Sequence, residues 1–582
     1  MNDPARAALL VVLSVLPTLA PAADTMPAPA WDTFADTWVA TDALGRSLPG
    51  FAECGPPRPG KSVGIFYFLW LEGDQPVYDL SKILAAPGEP KYGPRGAFHF
   101  WGRPLMGHYR VDDPYVLRKH AQMLADAGID VACFDVTNGP TYDQQMTALG
   151  RVWTDVRALG NRTPGFAYLT NSGAPRVVKH LMRSVYEPKA FGPLWFSWKG
   201  RPLLMSDPAG LDEATRAFFT CRRSWAWTDP NGWFGDGRDR WPWLDHTPQN
   251  YGWHDRPDRP EQIAVAVAEH PVSNIGRSFH QGRQPPPDQL DTGRGLHFAE
   301  QIDRALKVDP EFVFITGWNE WVAQRFIAEG PQMMAGRRVH KGDTIFIDQF
   351  SAEYSRDIEP MDGGHGDNYY YQLVAFVRRF KGVRPLPPVE PWPIAIDGRF
   401  DDWAGVSPEF RDTRGDPSRR DFDGWAGEPR FVDRSGRNDL AVTKVSADPK
   451  SISFYVQTSN PIITPTDAAD DWLVLRIDAD RDARTGPLGF DHRVIVSRAR
   501  AERWDGSAWA HAGAVDVRLD GRDLELSVPR ATLALPDGAG AVLDFQWTDG
   551  IAADAPAGDF TLHGDAAPND RFRYRAQVPA TR

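Results

Sequence analysis

The chain has 582 residues, of which 42% are hydrophobic and 24% charged, an ordinary globular composition with length for two or three domains. Its net charge of −12 argues against a nucleic-acid partner, because phosphate binding needs a basic face. The outlier is tryptophan, at 22 residues; indole faces stack on sugars as well as filling cores, and many of these lie near loop signals.

The chain opens with Arg6 and an apolar run over 7–19 broken by Pro17, followed by the small-x-small pattern Ala20-Pro21-Ala22. This reads as a secretory signal peptide over 1–22. The run is short for a bilayer span and no other run is long enough, so the expectation is an exported protein, periplasmic or secreted, with no membrane span after cleavage. Of the three cysteines, Cys133 sits in an apolar strand pattern and reads as a buried thiol. A Cys54–Cys221 disulfide is open but unsupported, and no cysteine spacing suits a metal.

From residue 61 to about 383, short β runs alternate with amphipathic stretches. The predicted strands are 63–70, 131–138, 165–171, 194–198 taken together with 203–205, 218–227, 262–268, 312–317 and 344–350. Between the first two, Val116, Leu117, His120, Leu124 and Ala127 recur at helical spacing. Eight strands alternating with helices predict an α/β fold, a (β/α)8 TIM-type barrel over 61–383. A doubly wound open sheet is the alternative, disfavoured because no glycine-rich phosphate loop follows the first strand. The last helix, 369–380, carries Tyr370, Leu373, Val374 and Val377 as its apolar stripe, with Asp367 or Asn368 as cap. Five prolines in 384–393 predict a stiff linker. Beyond it, short strands separated by turns predict an all-β sandwich over 394–582.

The active face of such a barrel lies at the C-terminal ends of its strands. Here those ends carry Trp70; Asp135, Thr137 and Asn138; Thr170 and Asn171; Trp318, Asn319 and Glu320; and Asp348 and Gln349. Glu320 stands between Trp318 and Trp321 and beside an amide. That composition suits a sugar site: indoles cover the apolar faces of a pyranose, the amide binds hydroxyls, and the carboxyl moves a proton. The loop after the first strand adds His99, Trp101 and Tyr109, as a cleft wall or a packed lid. The loop after the sixth adds Arg277 and His280, as hydroxyl-binding or loop-holding residues. After the eighth come Glu353, Arg356, Asp357 and Glu359, where one carboxylate pairing with Arg356 is expected to be structural, then His365 and Asp367.

Glycoside hydrolysis uses two carboxyl groups, one kept acidic near neutral pH by burial or a like-charged neighbour. Glu320 is the candidate general acid/base. Asp135, Asp348, Glu353 and Asp357 compete for the second position, and their spacing from Glu320 would set retention or inversion.

Segments 63–70, 99–109, 134–138, 318–321 and 355–368 resemble bacterial proteins of glycoside hydrolase families 71 and 99, over roughly residues 61–382. Trp318-Asn319-Glu320-Trp321 is the most specific part. In family 99, endo-acting α-mannosidases, a second acid follows the first by three positions and the mechanism retains configuration. Carried over, the first acid is Glu320, whereas the second position holds Ala323. The family's Ile-Glu-Pro element occurs here as Ile358-Glu359-Pro360, later than the pattern places it. The resemblance therefore implies an exported glycosidase acting on a polysaccharide or glycan, with an α-linked substrate among the expectations. Either an acid in 348–359 or Asp135 would replace the missing one.

Residues 394–403 and 477–491 resemble carbohydrate-binding module family 9, in which a β-sandwich can hold a terminal sugar between tryptophans and some members bind calcium. Trp403, Trp425 and Trp472 are the corresponding aromatic candidates. Asp478, Asp480 and Asp482 offer oxygen ligands at alternating positions for a structural calcium, with a solvated acidic turn as the plainer reading. No cofactor is expected for catalysis. The competing functions are a non-catalytic carbohydrate-binding protein, motivated by Ala323, and a metal-dependent hydrolase using His99, His280 or His365 with nearby acids.

Overall fold

In the computed structural model, residues 30–465 and 472–581 are described; the expected signal peptide lies outside them. Seven parallel strands form one curled sheet: β1 (Ser62–Tyr67), β2 (Val131–Val136), β3 (Gly165–Thr170), β4 (Arg201–Met205), β5 (Thr220–Arg222), β6 (Pro260–Ala266) and β7 (Phe312–Thr316). Their order is β5-β4-β3-β2-β1-β7-β6. The ladder does not close between β5 and β6. An antiparallel strand, Tyr251–Trp253, occupies the free edge of β6, and isolated bridges Arg223–Arg240, Ala226–Leu244 and Arg238–Trp253 span the opening.

Strand alternation divides the apolar side chains between two faces. Phe66, Phe68, Cys133, Ala167, Leu169, Met205, Phe312 and Phe314 point into the curl and form one cluster, with Trp70 and Trp243 packed against it. Their sequence neighbours Ile65, Tyr67, Phe134, Phe166, Leu204 and Ile315 point outward into a second cluster shared with the helices. The curl is tight enough that a Cβ on Gly64 would come within 2.6 Å of the Phe312 ring. Helix α1 (Pro114–Asp126) packs on the outer face, capped by Asp113, which accepts from Tyr115 N at 2.9 Å, and started by Pro114. Helices α2 (Asp143–Ala158), α3 (Leu296–Val308) and α4 (Asn368–Lys381) follow.

Two expectations fail in this half. The fifth predicted strand shrinks to β5, because beyond Arg222 the ladder gives way to the isolated bridges at Arg223 and Ala226. The eighth predicted strand is not in the curled sheet. β8 (Val322–Ile327) pairs antiparallel with β9 (Thr344–Phe346) and with Phe98–Phe100, forming a small separate sheet above the strand ends.

Besides a two-stranded ribbon, Arg420–Phe422 with Phe431–Asp433, the C-terminal half contains two larger antiparallel sheets. One includes β10 (Phe410–Arg411), β11 (Leu440–Ala447), β12 (Ser451–Thr458) and a strand at Asp523–Pro529; the other is built around β13 (Val474–Asp478), β14 (Ala541–Asp549), β15 (Asp565–Ala567) and β16 (Tyr574–Val578). Phe545 joins them, its ring 5.5 Å from Phe454 and 5.3 Å from Phe410. This half lies against α1: buried Arg420 pairs with Asp113 at 2.8 Å, and Asn569 donates to Asp126 at 2.9 Å. The three cysteines are free thiols, and burial pushes Cys133 well up.

Candidate active site

β7 ends at Thr316, and the turn Gly317–Glu320 is stitched to a second segment. Gly317 N donates to Arg356 O (2.6 Å), Ile358 N to Gly317 O (3.1 Å) and Glu359 N to Trp318 O (3.1 Å). Residues 356–359 thus run beside the turn and bring Arg356 and Asp357 to Glu320. Asp357 Oδ1 accepts from the Glu320 backbone N–H at 2.6 Å, which fixes the turn.

The Glu320 side chain is 6% exposed. Arg356 Nη2 donates to its Oε2 at 3.0 Å and to Asp348 Oδ1 at 3.2 Å. Gln349 Nε2 donates to the same Oε2, while Gln349 Oε1 accepts from Arg356 N at 2.9 Å. Burial pushes the Glu320 carboxyl well above the usual range; Arg356 and Gln349 pull the other way, and Asp348 and Asp357 add to the rise. Burial likewise pushes Asp357 up to about 6, against the Glu320 N–H and the guanidinium groups of Arg277 and Arg356. Asp348 is half exposed. Asp135, at the end of β2, caps its own turn through Thr137 N (2.9 Å). Burial, with the Asp348 charge, raises it, while Thr137 and Arg356 pull it down.

Half-buried aromatic rings border this cluster. Arg356 lies 5.9 Å from the Trp243 ring, and the indole N–H groups of Trp70, Trp227 and Trp243 have no partner within the protein. His270 is held neutral, its ring pushed down to about 4 by burial and Arg356 against Asp348, and Trp227 packs on it at 5.8 Å. Sequence reasoning missed Trp227, Trp243 and His270. The signal available was the tryptophan-dense stretch 225–243, which carries Trp225, Trp227, Trp233, Trp241 and Trp243.

Many sequence candidates are placed elsewhere. Trp318 and Trp321 are wholly buried and cannot cover a sugar. Trp318 packs on His120 and Tyr370, while Trp321 stacks on Trp101 at 4.5 Å and donates to Glu359. Trp101 in turn donates to the Glu320 carbonyl at 3.2 Å. Asn319 clamps the end of β1, bonding Phe68 N (2.9 Å) and Phe68 O (3.1 Å), so its amide is spent. Glu359 is tied to Tyr109 (2.7 Å), His120 (3.1 Å) and Trp321 in a sealed network. Glu353 is consumed by Ser278 and Gln284, and Arg277 by Ser355 and the Asp357 carbonyl. These residues hold the segment that carries Arg356; they do not face a ligand. Ala323 is buried beside Leu80 and Phe346, an apolar setting for the position where the family has its second acid.

His99, His280 and His365 do not converge. His99 spends both ring nitrogens on Gly93 N and Ala97 O (3.0 Å each), His280 lies 3.4 Å from Glu300, and His365 is buried against Trp101 and Tyr369. Asn138 is exposed at the end of β2 and Trp70 half-buried at the end of β1.

In the C-terminal half, Trp403 is core, stacked on Tyr455 and bonded to Glu525 at 2.8 Å. Trp425 is buried against Phe100, and Trp472 is buried with its N–H on Ile463 O. None of the three presents a sugar-stacking face. Asp478 is paired with Arg573 at 2.6 Å, Asp482 with Arg484, and Asp480 accepts from Asp482 N, so each acid already has a turn or an arginine to serve. A 460 Å³ cavity lies at the other end of the curled sheet, near Ser62 and Asp130, far from the strand mouths.

No family profile and no curated protein sequence matches the chain. Among solved structures, two of the GH99 endo-alpha-mannosidase from Bacteroides thetaiotaomicron share 15% and 14% identity, covering 55% and 56% of this chain and 97% and 98% of theirs, each with a TM-score of 0.33. A family 9 carbohydrate-binding module from Caldicellulosiruptor kristjanssonii, solved with glucose, shares 12% identity over 29% of this chain and 79% of its own, with a TM-score of 0.17. At these scores the likeness decides neither family nor activity.

Proposed function

We propose that this protein is a glycan-acting hydrolase in which Glu320 moves the proton, on an incompletely closed relative of the (β/α)8 arrangement. The observation that carries the reading is one nitrogen, Arg356 Nη2, shared by a buried carboxyl raised in pKa and a half-exposed one. General-acid work needs a carboxyl that keeps its proton near neutral pH, and burial supplies that for Glu320. Asp348 is the accessible partner. Because both oxygens touch the same nitrogen, they are no farther apart than those two bonds allow. That favours the roughly 5 Å spacing of retaining enzymes over the roughly 6.5–9.5 Å that leaves room for a water in inverting ones. The half-buried indoles of Trp70, Trp227 and Trp243 offer ring surface for a saccharide. Export to the periplasm or medium, where polymeric glycans are met, fits the N-terminal sequence.

The test is glycan release by purified protein, with Glu320→Gln and Asp348→Asn alongside and the anomeric configuration of the product followed by NMR. Retained activity in Glu320→Gln sinks the assignment. Ala323, sealed in an apolar cluster, supports a second reading, a sugar-binding protein without turnover; glycan binding by the wild type with no release at any pH would favour it.

A further inference from the structure

We propose that Asp412, Asp416 and Asp565 form a binding site for a hard divalent cation of the calcium type, set in the seam between helix α1 and the C-terminal sheets. The proposal concerns neither the Glu320 site nor the 478–482 turn.

Asp412 follows β10, Asp416 lies four residues on, and Asp565 opens β15. Each offers a carboxylate oxygen, and these oxygens lie within 4.8 Å of one another. Oxygens on opposite sides of a calcium ion stand about 5 Å apart, and around magnesium about 4 Å, so one ion can touch all three. The three side chains are almost wholly buried. Among the described residues they are the one such acid, histidine or cysteine group with metal-ligand spacing.

The polar atoms facing the group point independently to a missing ligand. Both carboxylate oxygens of Asp412 have no partner, nor do Asp416 Oδ1 and Asp565 Oδ1. From α1, Gln122 donates its amide N–H to Asp416 at 2.9 Å but leaves its own Oε1 unpartnered. The buried Tyr574 hydroxyl, which is acted on by the charges of Asp412, Asp565 and Asp416, is also unpartnered. Buried polar atoms are rarely left so, and a concentration of them marks a place for an ion or water.

The charge balance agrees. Lys119 on α1 bears on Asp416 and Asp565, while Asp126 adds to the repulsion on Asp412 and Asp439 to that on Asp416 and Asp565, so carboxylates are in excess and a divalent cation would offset part of that excess. Burial, with repulsion among these acids and from Asp126 and Asp439, otherwise pushes Asp412 and Asp565 well up and Asp416 to about 7, which Lys119 offsets only in part. The donor set is all oxygen, which selects calcium or magnesium over thiophilic metals, and the irregular arrangement suits the flexible shell of calcium. The ion would tie the loops after β10 and before β15 to each other and, through Gln122, to α1.

The full-length protein, stripped with EDTA and dialysed, is titrated with CaCl2 by calorimetry, and thermal unfolding is followed with and without the ion. The wild type is expected to bind calcium and to unfold several degrees higher in its presence. Asp412→Asn/Asp565→Asn is expected to bind one ion fewer, and its midpoint in EDTA to equal or exceed that of the stripped wild type, because like charges have been removed. Asp480→Asn is expected to keep the wild-type response. Two results overturn the proposal: a wild type whose heat and midpoint stay unmoved up to about 10 mM calcium, beyond the weakest extracellular sites, or a double variant that binds as many ions as the wild type. Loss of the response in Asp480→Asn alone would also overturn it and place calcium in the turn.

Discussion

Two clusters of acids, one at the strand mouths and one in the seam, are treated differently. At the mouth of β7, Glu320, Asp348 and Asp357 surround Arg356, a permanent cation whose donors reach two of them. In the seam, Lys119 bears on Asp416 and Asp565 from a distance, and Asp412 feels three further carboxylates, all pushing it the same way. A guanidinium built into the chain positions carboxyls for work: it keeps the cluster folded and leaves one acid protonatable. Acids that lack one need a proton or an ion from solution. The same burial therefore underlies the proposed reaction site in one region and the proposed cation-dependent joint in the other.

The comparison can be broken most sharply at Glu320. Glu320→Gln keeps shape and hydrogen bonding but removes the transferable proton. Glycan release should fall by about 10²–10⁴-fold with little change in melting temperature. Next is Arg356→Met, which leaves Glu320 and Asp348 without their counterion. Chemical denaturation should show a loss of about 1–3 kcal/mol, the cost of leaving buried hydrogen-bonding groups unpaired.

The seam predicts the opposite sign. The folded-state pKa of Asp416, about 7, lies above its value of 3.8 when exposed. Its contribution to stability is therefore full below about pH 4 and is lost as pH rises towards 7. In EDTA, Asp416→Asn should match the wild type at pH 4 and exceed it by about 4 kcal/mol at pH 8. Equal stability at both pH values would show that Lys119 already compensates the cluster. The smallest effect is expected at exposed Asn138, where Asn138→Ala should alter unfolding by less than about 0.5 kcal/mol. A raised KM with unchanged kcat would then place it on the saccharide path.

Much of the curled sheet was readable beforehand. Each of its seven strands overlaps a predicted run, because most are apolar stretches bounded by turns and need no partner to be recognised. β5 was the weak case, since a strand of three residues carries almost no periodic signal. The segment 344–350 was misplaced for another reason: its apolar pattern is real, but the edge it pairs with, β8, is chosen by the packing of Phe346 against His99 and Tyr92.

The candidate site divides in the same way. Glu320 was legible because a carboxyl just past a buried strand is already an unusual residue in an unusual place. The roles of its neighbours were not. Trp318, Asn319 and Glu359 read as ligand-facing from composition, yet each is sealed in, because residue type does not reveal which way a turn points. Arg356 was recognised as paired, but its second partner lies 36 residues away in the chain.

By itself, the order of residues determined the elements, the change from alternating α/β to all-β near the proline run, and the carboxyl at the mouth of the seventh strand. These follow from local periodicity and backbone preference, which act over a few residues. Tertiary structure alone decided which indoles are exposed, that Arg356 joins Glu320 to Asp348, and that acids at 412, 416 and 565 share one buried space. Burial and charge pairing depend on distance in space, and residues more than a hundred positions apart have none until the chain has folded.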